Sequence, residues 1–464
     1  MSRDSTDRSA WSRRGVTRRD FLKWTGAGIA GTAAVGSSGC STLASGFAPA
    51  PTVGPNTIIL TKGPDTTGTL AKVIKKFNSE NHGFKVQWQV QAANTGQYFD
   101  KMRTVFQAVN GGDIDVIGGD IIWPAQLAAN GWIEDLSNLF TKEMQRDFLP
   151  ATLQTSTYKN KIYGVPWYSD AGLLYYRKDL LDKAGLKPPK TYDELMHQVK
   201  KVKQQGGIKY GFTFQGQEYE GGVCNECEYI WNCGGDVLDP NNPAKVVIDK
   251  PGGVKGHEVA QSMLQSGTAP LAVVTFAELE SLFPFQTGEA LFNRNWPFAY
   301  AIAAGGKEAG SLLKPEWVGV AHLPRLNAGD QGFACLGGWD FMINSFSKNK
   351  EQAWEFIKWM IRPEIQKFQA INAGFLPPRK SLFEDKQLLK KQPVMALAKS
   401  SYATTHPRPS VNPFYSDMSL DMAQTFNETL KGDTSPQGGV SQLQKELQRI
   451  ADAASNIFHI GRST

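Results

Sequence analysis

From Thr57 onward, short apolar runs alternate with stretches in which apolar residues return every three or four positions. Ile58, Ile59 and Leu60 make a run short enough for a buried strand, and Leu70, Val73, Ile74 and Phe77 recur behind it at helical spacing. The same alternation predicts a strand over Lys85 to Val90, a helix over Tyr98 to Val109, a strand over Ile114 to Ile117, and a helix over Pro124 to Asn130 closed by Gly131. Further on it predicts a strand over Leu173 to Tyr176 and a short helix over Lys178 to Lys183, which Gly185 ends and Pro188-Pro189 stops. Thr191-Tyr192-Asp193-Glu194 reads as a capping box opening a helix that reaches about Gln205. Later come a helix near Val254 to Gln265, a strand around Ala290 to Phe292, and a helix from Glu351 with Ala353, Phe356, Ile357 and Met360 on one face. Strand and helix in turn imply a parallel α/β sheet. No internal repeat is visible, and no apolar run long enough to cross a membrane follows residue 40.

Length divides this pattern. A chain of 464 residues, 41% of them apolar, favours two globular lobes over one core. The formal charge of +6 is concentrated in the first 39 residues, which hold Arg3, Arg8, Arg13, Arg14, Arg18, Arg19 and Lys23 against Asp4, Asp7 and Asp20. The remainder is nearly balanced, which gives no electrostatic reason to expect nucleic acid.

The basic head carries its own message. Thr17-Arg18-Arg19-Asp20-Phe21-Leu22-Lys23 matches the twin-arginine export pattern, and the Gly/Ala-rich apolar stretch from Trp24 to Gly39 is too short for a secure membrane span. Residues 1–39 therefore read as a signal peptide. Ser37-Ser38-Gly39-Cys40 resembles a lipobox, with Ser37 where an aliphatic residue is usual, so that Cys40 is the expected lipid anchor. Residues 40–56 have the small-residue and Pro/Gly composition of a flexible tether. Export permits disulfides among Cys224, Cys227, Cys233 and Cys335, in any of three full pairings. Zinc at Cys224, Cys227 and Cys233 lacks a fourth ligand at good spacing, which favours a local disulfide or inert buried thiols.

Motifs for catalysis are missing: no G-x-S-x-G elbow, H-E-x-x-H pair, P-loop or dinucleotide-binding glycine pattern occurs, and the six histidines are scattered. Aromatic residues instead stand beside small and polar ones. Asp120 with Trp123, Trp167-Tyr168-Ser169-Asp170, Asn293-Arg294-Asn295-Trp296, Gly337-Gly338-Trp339-Asp340, and Arg408-Pro409 with Phe414-Tyr415 fall at expected strand ends or loops. In open α/β sheets, ligands bind where such loops converge. A sugar suits that lining, because its C–H faces pack on aromatic rings while its hydroxyls need fixed carboxylates, amides and arginines. Asp170 in particular is a lone carboxylate between Trp167-Tyr168 and the apolar run from Leu173, where it needs a partner or a ligand.

Three stretches carry a family resemblance: residues 120–132 (DIIWPAQLAANGW), residues 170–181 (DAGLLYYRKDLL) and Gly337-Gly338-Trp339. They resemble the sugar-binding proteins of ABC importers, family 1 of the extracellular solute-binding proteins. Arg408-Pro409 through Pro413-Phe414-Tyr415-Ser416-Asp417-Met418 is similar to the trehalose/maltose-binding branch. The resemblance implies a two-lobed periplasmic-binding-protein fold of type II, each lobe a mostly parallel sheet flanked by helices. On that basis residues 57–166 with 317–372 form lobe 1, residues 167–316 with 373–464 form lobe 2, and the first of about three hinge crossings lies near Gly164 to Trp167. It also implies ligand contacts at Asp65, Asp120, Tyr168, Asp170, Trp296, Gly338, Trp339, Arg408 and Tyr415. The expected cargo is an α-linked disaccharide such as trehalose or maltose, delivered by hinge closure to separate permease subunits. A monomer with no catalytic residue, metal or cofactor is expected. A receptor for a non-sugar solute and an exported glycosidase are the alternatives.

Overall fold

The structure is a computed structural model that describes residues 54–108, 111–401 and 404–460; the signal peptide, Cys40 and most of the tether lie outside the described residues. Ten strands build two sheets: β1 (Thr57–Lys62), β2 (Lys85–Val90), β3 (Val116–Asp120), β4 (Val165–Ala171), β5 (Leu173–Arg177), β6 (Tyr210–Thr213), β7 (Ala290–Asn295), β8 (Val318–Ala321), β9 (Ala334–Ile343) and β10 (Thr405–Pro407). The first sheet runs β10-β9-β3-β1-β2, with β4 pairing the other side of β9. The second runs β8-β5-β7-β6.

Helices cover these sheets as the periodicity predicts. Helix α1 (Thr69–Ser79) buries Leu70, Val73, Ile74 and Phe77, the residues spaced for one face. In α2 (Thr95–Gln107), Asn94 accepts from the Gln97 amide; the short α3 (Pro124–Ala129) follows β3. At the start of α4 (Tyr192–Gln205), Thr191 Oγ1 accepts from Glu194 N while the Glu194 carboxylate takes the Lys190 amide, so the capping box holds two otherwise orphaned donors. Then come α5 (Glu220–Asn232), α6 (Pro251–Gln265), α7 (Glu278–Gln286), α8 (Lys350–Met360), α9 (Pro363–Ala373), α10 (Tyr415–Lys431) and α11 (Pro436–Ile460). No helix among the described residues is long and apolar enough to cross a membrane.

The lobes meet at three neighbouring crossings. Strand β4 pairs antiparallel with β9 from Val165 to Ala171, and the Ser169 amide donates to Leu376 O at 2.9 Å. The chain therefore passes between lobes at residues 169–172, within β9, and between Ala373 and Leu376. Two boundaries differ from expectation. The first crossing falls after Gly164 to Trp167, because β4 is already paired with β9 of the first sheet from Val165. Residues 317–333 go with the second lobe, because β8 pairs with β5. The second sheet is also more mixed than mostly parallel: β7 runs parallel to β6, but β5 arrives from the hinge and pairs antiparallel with both β7 and β8. The C-terminal segment is not confined to one lobe either, since Tyr415 packs among Tyr98, Phe99 and Trp123 of the first.

All four described cysteines are free, buried thiols. Burial pushes Cys233 up to about 12 and Cys224 and Cys227 well above their ordinary value, which leaves them poor nucleophiles.

Candidate ligand-binding site

The strand ends set out the site. Strand β1 finishes at Lys62, β3 at Asp120 and β7 just before Trp296, so three parallel-paired strands deliver polar or aromatic side chains to one crevice between the lobes. There they enclose a cavity of about 200 Å³. Asp65, Asp120 and Trp339 line it from the first lobe, Glu220, Glu278 and Trp296 from the second, and Tyr168, Asp170 and Gly338 from the hinge strands.

One buried network crosses the gap. Arg408 donates from Nη2 to Asp120 Oδ1 at 2.7 Å and from Nη1 to Glu220 Oε1 at 2.6 Å. The Tyr415 hydroxyl donates to the same Glu220 oxygen at 2.7 Å, and Ser419 donates to the other. Burial raises the Glu220 carboxyl above its ordinary range, while the Arg408 guanidinium pulls it back down. Asp120 also caps its own turn, accepting from the Ile122 amide at 3.2 Å.

Trp296 rests on a second buried ion pair. Arg294 grips Glu228 with two hydrogen bonds of 2.7 and 2.6 Å, and its guanidinium lies 4.0 Å from the Trp296 ring centroid. Arg294 thus supports the aromatic wall from behind and does not line the cavity. Gly172 leaves room for this pair, since a Cβ there would come within 1.9 Å of Glu228 Oε1. Across the cleft Tyr168 stacks on Phe375 with centroids 4.1 Å apart.

Asp170 is different from every other carboxylate here. Only 8% of it is exposed, and among the described residues its Oδ1 has no hydrogen-bond partner. Burial and the neighbouring Asp120 push it up to about 7, against the pull of Lys62, Arg294 and Arg408. A buried acceptor without a donor costs free energy that the fold does not recover. Charged groups therefore surround Asp170, but among the described residues none donates to its Oδ1.

Of the nine expected contacts, eight line the cavity: Asp65, Asp120, Tyr168, Asp170, Trp296, Gly338, Trp339 and Arg408. Tyr415 does not; it stands behind Glu220 and orients it. Asp65 reaches the cavity with both oxygens engaged, Oδ1 by the amide and hydroxyl of Thr67 and Oδ2 by the Leu70 amide. Gly338 has a φ of +139°, and a Cβ there would come within 2.6 Å of Tyr168 O. Gly338→Ala is therefore expected to lose about 1–3 kcal/mol of stability from strain alone, measured by chemical denaturation; a neutral effect would show that β4 and β9 can part there. Sequence reasoning missed Lys62, Glu220, Glu278 and Phe375. Glu220 follows Tyr219 in a run with no periodic signal, and Lys62 ends a strand whose apolar core drew the attention. No cluster among the described residues could hold a metal ion.

The family model for bacterial extracellular solute-binding proteins matches residues 63–367, and the model for twin-arginine signal sequences matches residues 15–35. A probable ABC transporter-binding protein of Deinococcus radiodurans is 32% identical over 346 residues, 73% of this chain and 80% of the relative. The galactooligosaccharide-binding protein of Bacillus subtilis is 25% identical over 361 residues, 76% of this chain and 80% of the relative. Among solved structures, maltose-bound MalE3 of T. maritima superposes with a TM-score of 0.80 at 36% identity, over 85% of this chain and 99% of that one. The chain belongs to the bacterial extracellular solute-binding proteins, as an exported solute-binding component of an ABC transporter.

Proposed function

We propose that the cleft captures a neutral α-linked disaccharide, with trehalose and maltose the first candidates, and hands it to the permease by hinge closure. The observation that carries this reading is the pairing of aromatic walls, Trp296 and Trp339, with the unpartnered buried carboxylate of Asp170 in one cavity. Asp120, Tyr168, Gly338 and Arg408 complete the proposed contacts, with Asp65 at the rim and Tyr415 acting through Glu220. The maltose bound to the T. maritima relative supports an α-linked glucoside over a galactoside. Closure follows if the ligand bridges walls carried by different lobes, since contacts made only in the closed form are what shift the equilibrium.

Titration calorimetry against trehalose, maltose, sucrose, glucose, a short peptide and glycerol 3-phosphate tests the reading. Saturable binding of one disaccharide, recovered intact after prolonged incubation, supports a receptor that does no chemistry. Binding of only the peptide or the phosphate ester overturns the cargo, and release of monosaccharide or nitrophenol from a glycoside overturns the receptor. The mature protein is proposed to be a monomer held at the outer face of the cell membrane by a lipid on Cys40. Cys40→Ser is then expected to move it from the membrane fraction to the soluble one, and retention at the membrane would rule out an anchor at that residue.

A further inference from the structure

The cavity holds a second polar group that the fold leaves unsatisfied, of opposite sign to Asp170. Lys62, also 8% exposed, points its ammonium at the Trp339 ring, 3.3 Å from the centroid, and among the described residues makes no hydrogen bond. The neighbouring cations are held in ion pairs: Arg408 bridges Asp120 and Glu220 through Nη2 and Nη1, with its Nε left without a partner, and Arg294 is clamped by Glu228. Three carboxylates act on Lys62, from Asp65 after β1, Asp120 at the end of β3 and Asp170 on β4, yet none is hydrogen-bonded to it. Asp170 in turn feels Asp120, Lys62, Arg294 and Arg408, with Glu220 and Glu278 completing the charged lining. Beside Arg408 Nε, which is held within its ion-pair network without a partner of its own, the cavity thus presents the Lys62 ammonium as a donor and Asp170 Oδ1 as an acceptor that the fold leaves without hydrogen bonds.

We propose that Lys62 is a specificity-determining ligand contact that acts as a pair with Asp170, Lys62 donating to one hydroxyl of a bound sugar and Asp170 accepting from another. The proposal rests on the sugar-receptor reading and deepens it. A polyol supplies both complements at once, because each hydroxyl can donate and accept. A ligand with acceptors only, or donors only, satisfies half of the pair.

Such a pair couples binding to protons. Burial drives Lys62 down to about 7 and Asp170 up to about 7, so the empty cleft holds both in their charged forms only near neutrality. Below that pH Asp170 is protonated, and a sugar that needs its carboxylate must expel the proton. Above it Lys62 is neutral, and a sugar that needs its ammonium must take a proton up. Affinity is therefore highest near pH 7 and falls on both sides, by about 25-fold at pH 5 and at pH 9 if only the charged pair binds.

The test is calorimetry of trehalose and maltose between pH 5 and 9 on the wild-type protein and on Lys62→Met, Lys62→Arg and Asp170→Asn. Lys62→Met is expected to weaken binding at pH 7 about tenfold and to abolish the further fall above it. Lys62→Arg, whose charge persists, should hold its affinity to pH 9, and Asp170→Asn should abolish the fall below pH 7. Cooperative melting of each variant separates these effects from misfolding. A wild-type protein that binds either sugar with flat affinity across this range, or a Lys62→Met variant that binds as tightly as wild type, overturns the pairing while leaving the sugar reading intact. Failure of the wild type to bind any sugar overturns both.

Discussion

Replacing Arg408 with methionine is expected to lower folding stability by about 3–5 kcal/mol, because it strands two buried carboxylates that share one cation. Asp120 and Glu220 come from different lobes, and Arg408 is the group that neutralises both at hydrogen-bonding distance. The size of the loss should depend on pH. Without the guanidinium, burial raises the folded-state Glu220 carboxyl further, so the folded variant binds a proton that the unfolded chain has already released. Stability is then retained at low pH and lost as pH rises from the unfolded carboxyl range toward neutrality. Urea denaturation at pH 5 and pH 8 should show the deficit mainly at pH 8, with partial recovery on adding Glu220→Gln. An equal deficit at both values, or one below about 1 kcal/mol, would mean that Arg408 acts as packing and not as a counter-ion.

Asp170→Ala should do the opposite to stability and weaken binding. A charge-assisted hydrogen bond to the ligand contributes about 1.5–3 kcal/mol, so truncation should weaken sugar binding by roughly 10- to 150-fold. The folded protein should not suffer. Asp170 is raised to about 7, so wild type loses stability as pH climbs from the unfolded carboxyl range to about 7 and gains none back above it. The variant escapes that loss and should be more stable than wild type at pH 8, with the gain fading by pH 4. Such a trade of stability for binding is the usual signature of a functional group. If binding survives, Asp170 leaves the site; if the variant is less stable at pH 8, its carboxylate has a structural role.

The alternating pattern from Thr57 was readable because each element buries a single stripe or run against one layer. Helix α1 and helix α4 obey that rule, and their boundaries fall within a few residues of expectation. Helix α5 breaks it. The sequence EGGVCNECEYIWN carries three glutamates, yet all thirteen positions are buried. Each glutamate meets a partner far along the chain: Glu220 meets Arg408, Glu226 meets His257 at 2.9 Å, and Glu228 meets Arg294. Compensation at such distances leaves no local trace. Strands β4 and β9 were hidden for a related reason, because Pro166 in one and Gly337-Gly338 in the other are unusual in buried strands and are tolerated where the chain crosses between lobes. The candidate site was read through its aromatic and aspartate clusters, which stand at strand ends. Lys62 was not, because its amine becomes informative only when the two other cations are seen to be taken.

The pairing of β3 with β9 has a consequence for biosynthesis. These partners are about 220 residues apart in the chain, one of the costliest kinds of contact to form. At about 5–20 residues per second of translation, β3 is made roughly 10–45 seconds before β9 exists. During that interval the edge of β3, VIGGD, has buried apolar positions and no ladder partner on one side. The first lobe therefore cannot be completed as a nascent domain; it closes only after most of the second has been synthesised, and a chaperone that shields this edge would act in that window.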